Sequence, residues 1–144
     1  MNAFTTTFSG QKIPADPDRL GDAIFFVADI AHALARQPRF NGHTDERYSV
    51  AEHSVNVSLL LAAQGLDPLT QYAGLMHDAH EAYVGDVAAP QKAFIPGFDE
   101  YERKFAHAVQ RAHGLDPRDR DMWEAVRLAD LQALALENRY FRRG

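Results

Sequence analysis

The chain contains no cysteine. Disulfides and thiolate metal sites are therefore excluded, and any bound metal must be held by histidine and carboxylate. Basic charge is in deficit: 15 Lys and Arg stand against 20 Asp and Glu, giving a formal net charge of −5. General nucleic-acid and anionic-membrane surfaces require a basic face, so neither a nucleic-acid polymer nor a membrane is an expected partner. A small phosphorylated ligand needs only a local positive site and stays open. No stretch approaches the roughly 18 apolar residues that span a bilayer. The opening segment, MNAFTTTFSGQKIP, has no basic region followed by an apolar run, so no signal peptide is expected and the expected compartment is the cytoplasm. Internal repeats, low-complexity tracts and linkers are lacking as well. The 144 residues, 46% of them apolar, thus read as one domain over 1–144 with one sizeable core.

The pattern along the chain is helical. FTTTFSGQKI (4–13) alternates β-branched or aromatic with polar residues around Ser9-Gly10, as a short hairpin or extended arm does. IFFV (24–27) reads as a short strand or a helix lead-in, and Asp29 as the cap of a helix over about 30–37 that ends before Pro38. RFNGHTDERY (39–48) is a polar loop. Ser49 and Glu52 form a capping box for the next helix, whose apolar face is Val50, Val57, Leu60 and Leu61, with Gly65 as its stop. Asp67-Pro68 starts a third helix that carries Leu69, Tyr72, Ala73 and Met76 and runs on to Gly85-Asp86. A short helical turn follows within 87–98, then helices from about Asp99 to His113 and from about Asp119 onward. The last carries Met122, Trp123, Val126, Leu131 and Leu134. The predicted fold is a compact all-α bundle of about five to six helices with a short β-like N-terminal arm.

The chemistry concentrates in LMHDAHEAYVGD (75–86), where two histidines, two aspartates and a glutamate fall within twelve positions. His53 lies three residues after Val50 and four before Val57, on the apolar face of its helix. His77 follows Ala73 and Gly74 by about one turn. Asp130 lies four after Val126 and four before Leu134. One inward histidine is most often bonded to a backbone carbonyl, and Asp130 alone could pair with Arg127. Four polar groups directed into one core from separate helices are different, because each would be costly to bury without a partner. A divalent cation held by His53, His77, Asp78 and Asp130 would supply that partner as a mixed N/O site. Small residues around it, Ala51, Ala73, Gly74 and Ala79, permit close backbone approach. Glu81, four after His77, is placed to orient a water or move a proton. His80 reads as a surface residue or one just behind the ligands.

The ordered set His53…His77-Asp78…Asp130, together with Glu81 and Gly85-Asp86, resembles the HD-domain metal-dependent phosphohydrolases. Within them the likeness is closest to small 5′-deoxynucleotidase-like proteins and compact phage dATP triphosphohydrolase-like proteins. It covers most of the chain, including DIAHALARQPRFNGHT (29–44), SVAEHS (49–54) and GDVAAPQK (85–92). The resemblance implies an HD-domain helical bundle whose metal ligands are His53, His77, Asp78 and Asp130. It implies catalytic roles for Glu81 and Asp78, phosphate contacts from Arg39 and Lys92, a base or sugar contact from Phe40, and a sugar-hydroxyl or water contact from Asp86. Phe40 stands where the deoxynucleotidases typically carry tryptophan. His43 and Thr44 are further candidates for substrate binding or for ordering their loop.

The expected activity is metal-dependent hydrolysis of a nucleotide phosphoester, with a 5′-deoxynucleotidase that releases phosphate from a dNMP as the leading form. A triphosphohydrolase acting on a dNTP is the alternative. A diiron oxygenase, or a nucleotide-binding module without catalysis, is more remote. The expected cofactor is one divalent transition metal (Co, Mn, Zn, Ni or Fe, with Mg also admitted). The expected partners are a small nucleotide and, through spare apolar helix surface, a second copy of the chain in a dimer or larger assembly.

Overall fold

The computed structural model describes residues 3–142. Two short antiparallel strands, β1 (Phe4–Thr6) and β2 (Lys12–Pro14), pair Phe4 with Pro14, Thr5 with Ile13 and Thr6 with Lys12. This is the hairpin that the alternation around Ser9-Gly10 predicts. Everything after it is helical: α1 (Val27–Arg36), α2 (Val50–Ala63), α3 (Pro68–Met76), the single turns α4 (Glu81–Val84) and α5 (Ala89–Lys92), α6 (Phe98–Ala112) and α7 (Arg120–Phe141). Short 3₁₀ turns at Pro17–Arg19 and Arg39–Gly42 complete it. The architecture is all-α.

Local chemistry sets most of the boundaries. The Ser49 hydroxyl accepts the Glu52 amide at 3.1 Å and the Glu52 carboxylate accepts the Ser49 amide at 3.2 Å, so the capping box forms and α2 begins where expected. Asp67 accepts the Thr70 amide at 3.0 Å to start α3, and Asp119 the Met122 amide at 3.2 Å to start α7. Asp29 behaves differently from the expectation. Helix α1 starts earlier, at Val27, with no side-chain cap. The Asp29 carboxylate instead accepts the Ser9 amide at 2.9 Å and the Ser9 hydroxyl at 2.6 Å, which clamps the hairpin tip onto α1.

Helix α2 is the centre of the bundle and packs mainly on α3 and α7. Val57 and Leu61 of α2, Ala73 of α3, Phe105 and Val109 of α6, and Val126 and Ala129 of α7 form the core. Gly74 sets the α2–α3 approach: a methyl group there would collide with Leu61 and press on Val57. Leu69 and Leu131, both on helices, face outward.

The third helix is shorter than the pattern predicts. It stops at Met76, residues 77–80 form a tight turn, and α4 resumes at Glu81. The cause is a side chain. In a continuing helix the Gly74 carbonyl would accept the Asp78 amide. It accepts His77 Nδ1–H at 2.6 Å and the His77 amide at 3.5 Å instead, and the turn closes with shorter-range bonds from Ala79 to Met76 (3.0 Å) and Glu81 to Asp78 (2.9 Å). Adjacent helical residues point about 100° apart, and the break brings His77 Nε2 and Asp78 Oδ2 to 3.1 Å.

Candidate metal centre

Three elements deliver four candidate ligand side chains to one region. His53 comes from the first turn of α2, His77 and Asp78 from the turn after α3, and Asp130 from α7. His53 Nε2 lies 2.8 Å from Asp130 Oδ1 and 3.7 Å from Asp78 Oδ2. His77 Nε2 lies 3.1 Å from Asp78 Oδ2 and 3.5 Å from Asp130 Oδ1. Donors about 2.1 Å from one ion stand roughly 3.0–3.4 Å apart in octahedral or tetrahedral arrangement, and the observed spacings bracket that range. Of the four ligands expected from the sequence, His53, His77 and Asp130 have donor atoms within 4.8 Å of one another, and Asp78 stands beside them, nearest to His77. Arg127 pairs with Glu124 at 2.6 Å, which removes the ordinary explanation for Asp130.

The histidine tautomers fit a metal. His77 Nδ1 faces a carbonyl, which can only accept, so Nδ1 carries the proton. His53 Nδ1 donates to Glu137 Oε2 at 2.6 Å. Both Nε2 atoms are then lone pairs aimed at carboxylate oxygens. The 2.8 Å separation of His53 Nε2 from Asp130 has hydrogen-bond length, yet both buried Nε2 atoms lack a bond of acceptable geometry. They converge on a common point rather than on a single acceptor. Lone pairs facing anions need a cation or extra protons between them. Without metal the protons do this work. Burial by itself lowers the pKa of His53, but the Asp130 carboxylate beside Nε2 and the Glu137 bond at Nδ1 raise it further than burial lowers it. Burial likewise opposes protonation of His77, and Asp78 and Asp130 override it. Asp78 and Asp130 move the other way: burial favours their neutral forms, and the two imidazoles hold both well below the usual carboxylate range.

Glu137, which the sequence reading passed over, is the support of the centre. It is buried near the end of α7 and accepts from His53 Nδ1 (2.6 Å), the Tyr48 hydroxyl (2.6 Å) and Arg39 Nη2 (2.8 Å). These donors outweigh burial and keep it ionised. A carboxylate behind a ligating imidazole fixes its tautomer and raises its basicity. A signal was present: Glu137 lies seven residues after Asp130, in the buried row Met122, Val126, Ala129, Ala133.

A cleft of about 310 Å³ opens on the centre, lined by Arg39, Phe40, Asp78, Glu81, Asp86, Lys92 and Asp130, among others. The Asp130 side chain is 42% exposed, so the centre is open on this side. Arg39 and Lys92 border the cleft, but each already has an acidic partner, Glu137 and Glu102, both at 2.8 Å. The guanidinium groups of Arg39 and Arg142 stand over the Phe40 ring, 4.9 and 4.5 Å from its centre. Among the described residues, Phe40 and Asn41 are the non-glycine positions with positive φ, 56° and 53°, and such strain is common at ligand-binding turns. That reversal carries the chain away from the cleft. His43 is exposed and does not line the cleft, and Thr44 faces a separate depression with Arg36, Arg47 and Glu52. Glu81 is 4% exposed and its Oε2 has no hydrogen-bond partner. Burial, then Asp78 and Asp86, push its pKa far above the carboxylate range. His80 is not at the surface; it is buried, with Nε2 3.4 Å from Glu102 Oε2.

Among the described residues, no helix is long and apolar enough to cross a membrane. A scan against protein-family models gives no match. Sequence comparison finds relatives. Over 137 residues the chain is 36% identical to the uncharacterized protein YfdR of Escherichia coli K12, covering 95% of this chain and 71% of YfdR. Over 117 residues it is 38% identical to the uncharacterized protein RCAP_rcc00048 of Rhodobacter capsulatus, covering 77% of this chain and 60% of that protein. At that identity and coverage, the chain belongs to the family of E. coli YfdR.

Proposed function

We propose that this protein is an HD-type, metal-dependent phosphohydrolase that releases phosphate from a deoxynucleoside 5′-monophosphate. One observation carries the reading: two imidazole Nε2 lone pairs and two carboxylates from three elements converge at metal-ligand spacing at the floor of an open cleft. His53, His77, Asp78 and Asp130 would hold the ion, which when bound acidifies water and offsets charge on a phosphate.

The chain's own residues supply the rest. Arg39 and Lys92 are the cations at the cleft and would neutralise phosphate oxygens by exchanging part of their bonding to Glu137 and Glu102. Glu81, buried beside Asp78 on the cleft wall, is suited to orient the attacking water. Phe40 presents a ring to a base or sugar, and Asp86 a carboxylate to a sugar hydroxyl. The cleft volume lies near the lower end of the roughly 300–1,000 Å³ typical of small-molecule sites, which favours a monophosphate over the longer dNTP.

A panel of dNMPs and dNTPs, assayed with Mn²⁺, Co²⁺, Mg²⁺ or Zn²⁺ and with the released phosphate chain identified, tests the proposal. Phosphate from dNMPs is expected. Triphosphate from dNTPs would move the assignment to the triphosphohydrolase form, and no turnover with any nucleotide would remove both. His77→Ala should lose the ion of this centre and activity together while the helical circular dichroism stays near wild type.

A further inference from the structure

Beside the four-ligand centre stands a second group of convergent donors. His80 ends the turn after α3, Glu81 begins α4, and Glu102 reaches in from α6. One donor atom of each lies within 4.8 Å of the other two. His80 and Glu81 are buried, at 7% and 4% exposure. Oε2 of Glu81 and Oε2 of Glu102 are both buried and both lack a hydrogen-bond partner. Lys92 explains only half of Glu102: it donates to Oε1 at 2.8 Å and leaves Oε2 bare. His80 Nε2 is 3.4 Å from that bare oxygen, too long and too poorly aligned for a hydrogen bond. Buried polar atoms are nearly always satisfied, so two orphan carboxylate oxygens beside one imidazole nitrogen point to a missing shared partner.

We propose that His80, Glu81 and Glu102 hold a second divalent cation, so that the chain binds two. One imidazole and two carboxylates form a harder donor set than the first centre, with water to complete the shell. That chemistry suits Mn²⁺, Fe²⁺ or Mg²⁺. Lys92 stays on the outer oxygen of Glu102 and offsets part of its charge, while Asp78 and Asp86 add negative charge near Glu81 that favours a cation. The site deepens the proposed hydrolase and rests on that reading only in putting Glu81 beside the reacting phosphate. Cation binding itself requires no turnover.

The test uses the full chain, stripped of metal and titrated with Mn²⁺, with free Mn²⁺ read by electron paramagnetic resonance. Wild type is expected to bind two ions, Glu102→Gln and His80→Asn one each, and His77→Ala one, at the trio. One ion in wild type that is lost in His77→Ala would overturn the second site and leave the first intact. Two ions retained in Glu102→Gln would also overturn it. Two ions bound without nucleotide turnover would sustain the site and count against the hydrolase. Anomalous diffraction from wild-type crystals soaked in Mn²⁺ decides the matter without any variant: a peak among His80, Glu81 and Glu102 supports the site, and its absence there overturns it.

Discussion

Glu137 shows how much one unassuming side chain can hold. Three donors on three segments end on its two oxygens: His53 of α2, Tyr48 before it, and Arg39 of the preceding turn. Glu137→Gln keeps the shape but weakens the acceptor for His53 Nδ1–H. Metal affinity, measured by calorimetry, should fall roughly 10–100-fold. Glu137→Ala also leaves Arg39 and His53 without their buried counter-charge. Unfolding in urea should show a loss of about 3–5 kcal/mol. A variant with unchanged metal affinity would show that the ligands hold their geometry without this support. Glu137 could have been found from its spacing after Asp130. What the spacing cannot say is whom it serves, because Arg39 lies 98 residues away in the chain.

Among the elements, the α2–α3 pair is tightest where glycine lies. Gly74→Ala would add a methyl group against Leu61 and Val57, both fully buried. Alanine favours helix by about 1 kcal/mol over glycine, while overpacking a filled core costs about 1–3 kcal/mol. The second effect should win because the struck side chain has nowhere to move. Chemical denaturation should therefore show net destabilisation, and the separation of His53 from His77 should change with it. The break after Met76 is the other decision at this scale. Hydrophobic spacing continues through residues 77–84 and reads as helix, whereas the Gly74 carbonyl is taken by His77 Nδ1 and the ladder breaks into shorter-range bonds there. Gly85 then ends α4 at φ 86°, a conformation that side chains resist, and turns the chain into the cleft wall.

At the scale of the whole molecule, the centre couples stability to pH and metal. His53 and His77 have raised pKa values in the metal-free fold. Their contribution is complete below the unfolded imidazole value of about 6.5 and is lost as pH rises through the folded values. Glu81, also raised, acts in the same direction. Asp78 and Asp130 are lowered, so their contribution is present above about pH 3.9 and is lost on acidification below it. The metal-free protein should thus be most stable between the carboxylate and imidazole ranges, and its thermal midpoint should drop from pH 6 to pH 9. Metal replaces the two imidazole protons, so its protection should grow with pH. An ion at 100 times its dissociation constant adds about 2.7 kcal/mol. Scans with and without Mn²⁺ at the two pH values check both trends, and a midpoint indifferent to pH would contradict the proton account.

The sequence by itself determined the all-α class, the hairpin, three of the helix starts and the four candidate ligands. Each depends on local physics: capping within three or four residues, alternation or helical spacing, and the cost of burying charge. Only the tertiary structure decided the rest. It assigned Asp29 to the hairpin tip, joined Glu137 to Arg39, buried His80 against Glu102 and carried His43 and Thr44 away from the cleft. Those outcomes turn on partners far apart in the chain, and on a turn whose positive φ at Phe40 no local preference favours. Composition and spacing can show that a polar group must be satisfied. Which group satisfies it depends on how the helices pack.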